Sequence, residues 1–233
     1  MKEGRPANTS PRVFIVVPAF NEASTIRGVV DTLSSTYQNV VVIDDGSSDE
    51  TASALDGAGA FLLHHRINRG QGAALQTGIR FALLHQADVI VTFDSDGQHD
   101  PEDIGALISP ILNGECDVTL GSRFLGRTQN MPAARRLVLK AGIVFTRLAS
   151  RIRVTDVHNG IRAFNREAAR SLHITMDRMA HASEILDHIV NHHWRYQEIP
   201  VTIRYSSHTL AKGQTSWNAL RIAAQVLLER LRL

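Results

Sequence analysis

The chain has a single cysteine, Cys116, among 233 residues. One thiol excludes an internal disulfide and any cysteine-based zinc module, and it fits a reducing compartment. Long apolar runs are missing too. No stretch approaches the roughly 18–20 apolar residues needed to span a bilayer. Residues 1–11 are polar and lack the apolar centre of a signal peptide. Nor is there a large excess of one charge: 25 Lys and Arg stand against 23 Asp and Glu, a formal net charge of +2. That excess gives no reason to expect a nucleic-acid partner, because clustering matters more than bulk charge. No serine or cysteine sits in a recognisable nucleophile motif, and there is no internal repeat. These absences predict a cytosolic protein, soluble or peripheral to a membrane.

What is present is a core and a pattern. An apolar fraction of 43% suffices for one large α/β domain. Residues 13–17, 40–43, 60–63, 89–93 and 117–120 read as strands. Helices are expected over 22–35, from 49 onward, over 72–85, and from Pro101 as a first helical residue. Continuous Val and Ile runs between helices predict a parallel sheet buried on both faces. The second half predicts a basic helix over 135–153, a strand over 161–164, a helix over 180–193 and a strand over 196–205. A loop over 206–214 and a final helix over 216–233 complete the pattern.

In such sheets ligands bind at the carboxyl ends of the strands. Four polar, turn-rich segments fall there: Pro18 to Glu22, Asp44 to Asp49, Asn68 to Gly70, and Asp94 to Asp100. The last opens with Asp94-Ser95-Asp96, whose two carboxylates repel unless a cation lies between them. A hard divalent ion such as Mg²⁺ or Mn²⁺ accepts one or two carboxylates plus substrate phosphates, which makes Asp94, Asp96 and Gln98 the metal candidates. The plain alternative is a polar turn closed by Asp96-Gly97. Asp44 to Asp49 has the composition of a turn and helix cap, and a carboxylate there can also accept from the ring N–H of uracil or guanine. Gly70-Gln71-Gly72 begins like a dinucleotide fingerprint, but Leu75 stands where the third glycine belongs, against a dehydrogenase. Gly121-Ser122-Arg123 either brings a guanidinium to a phosphate or forms a surface salt bridge. Arg136, Lys140, Arg147 and Arg151 share one helical stripe, suited to an anionic lipid surface or to plain solvation. Glu184, His188 and His192 are spaced along one helix face, yet without a zincin motif they are weak zinc candidates.

Together these motifs resemble family 2 glycosyltransferases of the GT-A fold. The likeness rests on residues 16–22, 43–49, 68–72, 93–99 and 121–124. Gln98 and the segment Asn159-Gly160-Ile161-Arg162-Ala163-Phe164 bring it closer to the polyprenyl-phosphate (dolichol-phosphate mannosyltransferase-like) members, though Asn159 and Ile161 replace the usual Ser and Phe. The resemblance implies a Rossmann-like, mostly parallel sheet flanked by helices, with a helical acceptor-side part. It divides the chain into an arm over 1–12 and one domain over 13–233, with a nucleotide-sugar half over 13–125 and an acceptor half over 126–233. Pro18, Ala19, Asn21, Glu22, Asp45, Gly70, Asp94, Ser95 and Asp96 are expected to hold a UDP- or GDP-linked sugar. Asp96, Arg123, Arg204 and Lys212 are expected at the chemistry, the last two clamping the diphosphate. Arg123, Arg135 and Arg136 are expected to receive the phosphate of a polyprenyl acceptor. The implied setting is the inner face of a membrane, where a separate small membrane protein is a plausible partner. Three rivals remain: transfer to a sugar hydroxyl with Glu184 or Asp187 as base, nucleotidyl transfer, and a non-catalytic binding subunit.

Overall fold

The computed structural model describes residues 10–132, 136, 139–140, 142–143, 152–175 and 181–205. Seven strands form one sheet: β1 (Val13–Ala19), β2 (Asn39–Asp44), β3 (Phe61–His64), β4 (Val89–Thr92), β5 (Val118–Gln129), β6 (Arg162–Asn165) and β7 (Tyr196–Arg204). Their order is β3-β2-β1-β4-β6-β5-β7. All pairings are parallel except those of β6, which runs antiparallel to both β4 and β5. The helices whose full extent lies among the described residues are α1 (Ile26–Ser34), α2 (Gln71–Leu84), α3 (Asp103–Leu112), α4 (Arg166–Ser171) and α5 (His181–Asn191).

The apolar strands make two cores. Phe14 and Val16 of β1 join Val41, Ile43, Leu75, Ile79, Phe164 and Ile185 on one face. Ile15 and Val17 join Ile26, Leu33, Val40, Val91, Ile104 and Leu107 on the other. Side chains alternate across a strand, so a sheet covered on both faces needs an unbroken apolar run. Each such fully buried side chain contributes about 1.5–3 kcal/mol. Among the described residues no helix is long and apolar enough to cross a membrane.

Several boundaries differ from expectation, for local reasons. α1 begins at Ile26, because residues 21–25 are occupied elsewhere: Asn21 has φ 54°, and Glu22 N–H donates to Thr51 Oγ1 at 2.8 Å. No α-helix separates β2 from β3. Asp49 Oδ1 accepts from Thr51 N–H, and Ser53 bonds to Glu50, leaving only a 3-10 turn over Ser53–Leu55. Short polar side chains there compete with the helical ladder. Pro101 lies in the turn before α3, while β5 runs nine residues past its expected end at 120. Its outer part pairs with β7 after an irregularity at Ser122 to Arg127. Of the expected basic helix, Arg136, Leu139, Lys140, Gly142 and Ile143 are helical, and the rest lies outside the described residues. The segments expected over 206–233 lie outside them as well.

The reversed strand positions the site. Parallel β1, β2 and β4 deliver their carboxyl ends to one rim, and antiparallel β6 brings its amino end, residues 158–161, to the same place.

Candidate active site

One cavity of about 490 Å³ opens at that rim. From the loop after β1 it is lined by Pro18, Ala19, Phe20 and Glu22, and from the ends of β2 and β3 by Asp45, Asn68 and Gly70. The segment after β4 contributes Asp94, Ser95, Asp96, Gln98 and His99. Gln71 and Ala74 of α2 also reach it. Arg123, His158, Asn159, Gly160, Arg162, His181, Ala182 and Ile203 close the far wall.

Around Asp45 the loops are tied to one another. Asp45, only 2% exposed, accepts from His65 Nδ1 at 2.6 Å and from the N–H groups of Arg69 and Gly70 at 3.0 and 2.7 Å. Gly46 lets this loop lie close. It has φ +73°, and a Cβ there would stand 2.7 Å from the backbone of Ile67 and Asn68. Asn21 accepts from Ser48 N–H at 2.9 Å, and its own N–H donates to Ser47 Oγ at 2.9 Å.

The two carboxylates of the Asp-Ser-Asp segment are held differently. Asp94 Oδ1 accepts from Gln71 Nε2 at 3.0 Å, and Oδ2 meets His99 Nε2 at 3.0 Å. Burial pushes the Asp94 carboxyl up, but the His99 bond and the charges of His99, His181 and Arg123 outweigh it and hold it below its ordinary value. Asp96 accepts from Gln98 N–H at 3.0 Å and from Gln98 Nε2 at 2.8 Å. Burial and the neighbouring Asp94 charge raise its carboxyl above the ordinary value. Gly160 packs directly on Asp94, for a Cβ there would come within 2.2 Å of Oδ2. Two carboxylates and an amide at one cavity edge suit a hard cation that takes its other ligands from phosphate and water. Among the described residues no cluster of three or more His, Cys, Asp or Glu forms a self-sufficient metal cage.

The far wall is cationic. Arg123 is buried; its Nε donates to Asp156 Oδ2 at 2.6 Å and its Nη1 to Tyr205 Oη at 2.7 Å. Arg162 donates to the carbonyls of Asn159, Ala182 and Val157 at 3.2, 3.2 and 3.0 Å. Burial pushes its guanidinium down to about 10, so it stays charged at neutral pH. Burial also lowers the His158 ring, whose Nδ1 has no hydrogen-bond partner among the described residues.

Of the residues expected from sequence, Pro18, Ala19, Glu22, Asp45, Gly70, Asp94, Ser95, Asp96, Gln98 and Arg123 meet at this cavity. Asn21, Arg136 and Arg204 are not among its lining. Asn21 stitches two loops together, and Arg136 is exposed. Arg204 pairs with Asp100 at 2.5 Å, while its N–H donates to the Gln98 carbonyl, bracing the metal-candidate loop from outside. Arg123 is no surface salt bridge, since its ion pair with Asp156 is buried. Arg135 and Lys212 lie outside the described residues. Glu184 turns away to bind Thr175 N–H and Oγ1 at 2.8 and 2.6 Å, and His188 and His192 stack with Trp194. Sequence reasoning missed Gln71, His158, Arg162 and His181 as wall residues. Arg162 lies within the segment Asn159 to Phe164 and His158 directly precedes it, so both were within reach, whereas nothing in the local sequence marks His181.

A mostly parallel α/β sheet flanked by helices, with an acidic pair at its carboxyl rim, has the architecture of a GT-A transferase. The chain matches the model of Glycosyl transferase family 2 over residues 14–172, and it belongs to that family. It is 30% identical to the UDP-N-acetylglucosamine–dolichyl-phosphate N-acetylglucosaminyltransferase of Methanococcus voltae, over 94% of this chain and 96% of the relative. It is 25% identical to the polyprenol monophosphomannose synthase of Mycolicibacterium smegmatis, over 94% of this chain and 87% of the relative. The chain is thus similar to polyprenyl-phosphate glycosyltransferases. Its fold is shared with glucosyl-3-phosphoglycerate synthase from Mycobacterium tuberculosis, solved with Mn²⁺ and UDP-glucose. The TM-score is 0.73 at 20% identity, covering 96% of this chain and 82% of that one.

Proposed function

We propose that this glycosyltransferase moves a hexose from a nucleoside-diphosphate sugar to a polyprenyl phosphate, with inversion at C1, at the cytosolic face of a membrane. The observation that carries the reading is the polarity of the cavity. Glu22, Asp45, Asp94 and Asp96 line it from the loops after β1, β2 and β4, and the Arg123 and Arg162 guanidinium groups enter it from β5 and β6, beside the His158 and His181 rings. The carboxylates suit a metal-bound diphosphate, and the guanidinium groups suit a second anion. The two relatives described above carry a dolichyl phosphate and a polyprenol monophosphomannose in their names, which supports a lipid phosphate as that anion.

Mg²⁺ or Mn²⁺, held by Asp94, Asp96 and Gln98, would neutralise charge on the departing diphosphate. Gln71 and His99 orient Asp94, so that carboxylate is set before a ligand arrives. Asp45 receives the base. Arg123 and Arg162 attract the acceptor phosphate and hold it near C1, on the face opposite the leaving group. A phosphate oxygen is already ionised at neutral pH, so no side chain has to remove a proton. Arg135 and Arg136 on the basic helix, with Lys212 farther along, would extend the positive surface toward lipid and donor diphosphate. Membrane recruitment through a small partner protein belongs to the same reading.

The test is turnover by the purified protein with Mg²⁺ or Mn²⁺, a panel of UDP- and GDP-sugars, and a short polyprenyl phosphate. Nucleoside diphosphate release that needs both metal and lipid phosphate, and that Asp96→Ala abolishes, is the expected result. Release that needs only a sugar hydroxyl acceptor would move the assignment to glycan assembly.

A further inference from the structure

The loops around Asp45 leave its carboxylate little capacity for a ligand. An ionised carboxylate offers about four lone-pair positions. Three are occupied. Oδ1 accepts from both His65 Nδ1 and Arg69 N–H, and Oδ2 accepts from Gly70 N–H. His65 is fixed at its far end too, where Nε2 meets Thr77 Oγ1 of α2 at 2.9 Å, and its side chain is only 9% exposed. The fourth position, on Oδ2, is the one left for a molecule in the cavity that Asp45 lines.

We propose that this nearly saturated carboxylate selects the base of the donor, taking uracil or thymine and rejecting guanine. The inference deepens the function proposed above and rests on it. Uracil and thymine present a single ring N–H between two carbonyls. Guanine presents two adjacent donors, N1–H and the N2 amino group, which a carboxylate satisfies with both of its oxygens. Here Oδ1 is already filled, so the second guanine donor would be buried without an acceptor. Freeing Oδ1 means displacing an imidazole that is bonded at both nitrogens. His65 therefore acts through Asp45, as a positioning and specificity-determining residue that need not touch the donor itself.

Calorimetric titration of UDP, dTDP and GDP in the presence of Mn²⁺ tests this with the full chain. The expected result is UDP or dTDP binding at least about ten-fold more tightly than GDP, the size of effect that one stranded donor produces. His65→Ala, which opens Oδ1, is expected to narrow that gap to about three-fold, with UDP weakened and GDP gaining. His65→Asn keeps an amide donor near the Nδ1 position and is expected to restore most of the discrimination. Thr77→Val loosens the ring from outside the cavity and narrows the gap part-way, which serves if His65→Ala does not fold. GDP binding as tightly as UDP would overturn the base assignment while leaving the glycosyltransferase reading in place. Discrimination unchanged in both folded His65→Ala and Thr77→Val would overturn the role of His65. Failure of all three diphosphates to bind would sink the proposed donor site itself.

Discussion

Asp94 and Asp96 are two residues apart, yet the fold pushes their carboxyls in opposite directions. Asp96, raised by burial and by Asp94, takes up a proton more readily in the folded chain than in the unfolded one. Its ionised form therefore costs stability at pH values above its raised pKa, and that cost is relieved as the pH falls through it. Metal-free Asp96→Asn is accordingly expected to melt about 2–4 °C above the native protein at neutral pH for each kcal/mol relieved. The difference should shrink on acidification, as the native carboxyl is protonated. Added Mn²⁺ should raise the melting temperature of the native protein and not that of the variant; thermal melts with and without EDTA decide both points. A second outcome follows from Gly160. In Gly160→Ala the new Cβ must displace a carboxylate that Gln71 and His99 already hold, so Mn²⁺ affinity, read by electron paramagnetic resonance, should fall at least about ten-fold. At this scale the sequence made the acidic pair legible, because two carboxylates after an apolar strand are a local signal. Gln71, His99 and Gly160 were not legible as the partners of Asp94. Which side chain meets which oxygen depends on loops that converge from three parts of the chain.

The far wall is made by elements rather than by single residues. Asp156 joins the segment before β6 to β5 through Arg123, and Arg123 joins both to the end of β7 through Tyr205. Removing Asp156 leaves a buried guanidinium without its counter-charge. Asp156→Ala is therefore expected to lower unfolding stability by about 3–5 kcal/mol, against about 1.5–3 kcal/mol for Tyr205→Phe, which loses the hydrogen bond to the Arg123 guanidinium. Urea unfolding of the two variants checks the ranking, and equal losses would mean that Asp156 does not carry the wall. The strands of this fold were readable from continuous Val and Ile runs. The direction of β6 was not, since an apolar run over 161–164 carries no arrow; the partners on either side fix its direction. Helix starts failed where Asp49, Ser53 and Thr51 spend their side chains on local turns, a competition that hydrophobic periodicity does not register.

Across the whole molecule, the decisive property is that acidic and cationic side chains are gathered around one cavity, whereas the chain's net charge is only +2. A hydroxyl acceptor would require a base in that space. Glu184 and Asp187 are not among its lining, and Glu184 is committed to Thr175. The candidate that remains on the cationic wall is His158, with an Nδ1 free of partners among the described residues and a ring that burial keeps neutral at pH 7. A phosphate acceptor and a hydroxyl acceptor make different demands on that ring. If a phosphate attacks, His158→Gln should lower kcat less than about ten-fold, because only positioning is disturbed, whereas losing a general base costs about 10²–10⁴-fold. The pH profiles separate the cases independently. With a phosphate nucleophile the acid limb follows the second phosphate ionisation near about pH 6 and persists in the variant. With a hydroxyl nucleophile the limb belongs to His158, lies below the ordinary histidine value because burial lowers it, and disappears with the ring. Glu184→Gln and Asp187→Asn should leave either profile where it was. Measuring kcat/KM against pH for native protein and His158→Gln, with a short polyprenyl phosphate and with a sugar hydroxyl acceptor in parallel, decides which nucleophile this cavity was built to hold. Turnover with the hydroxyl acceptor that collapses in the variant, together with loss of the acid limb, would reassign the cationic wall from binding a phosphate to activating a hydroxyl.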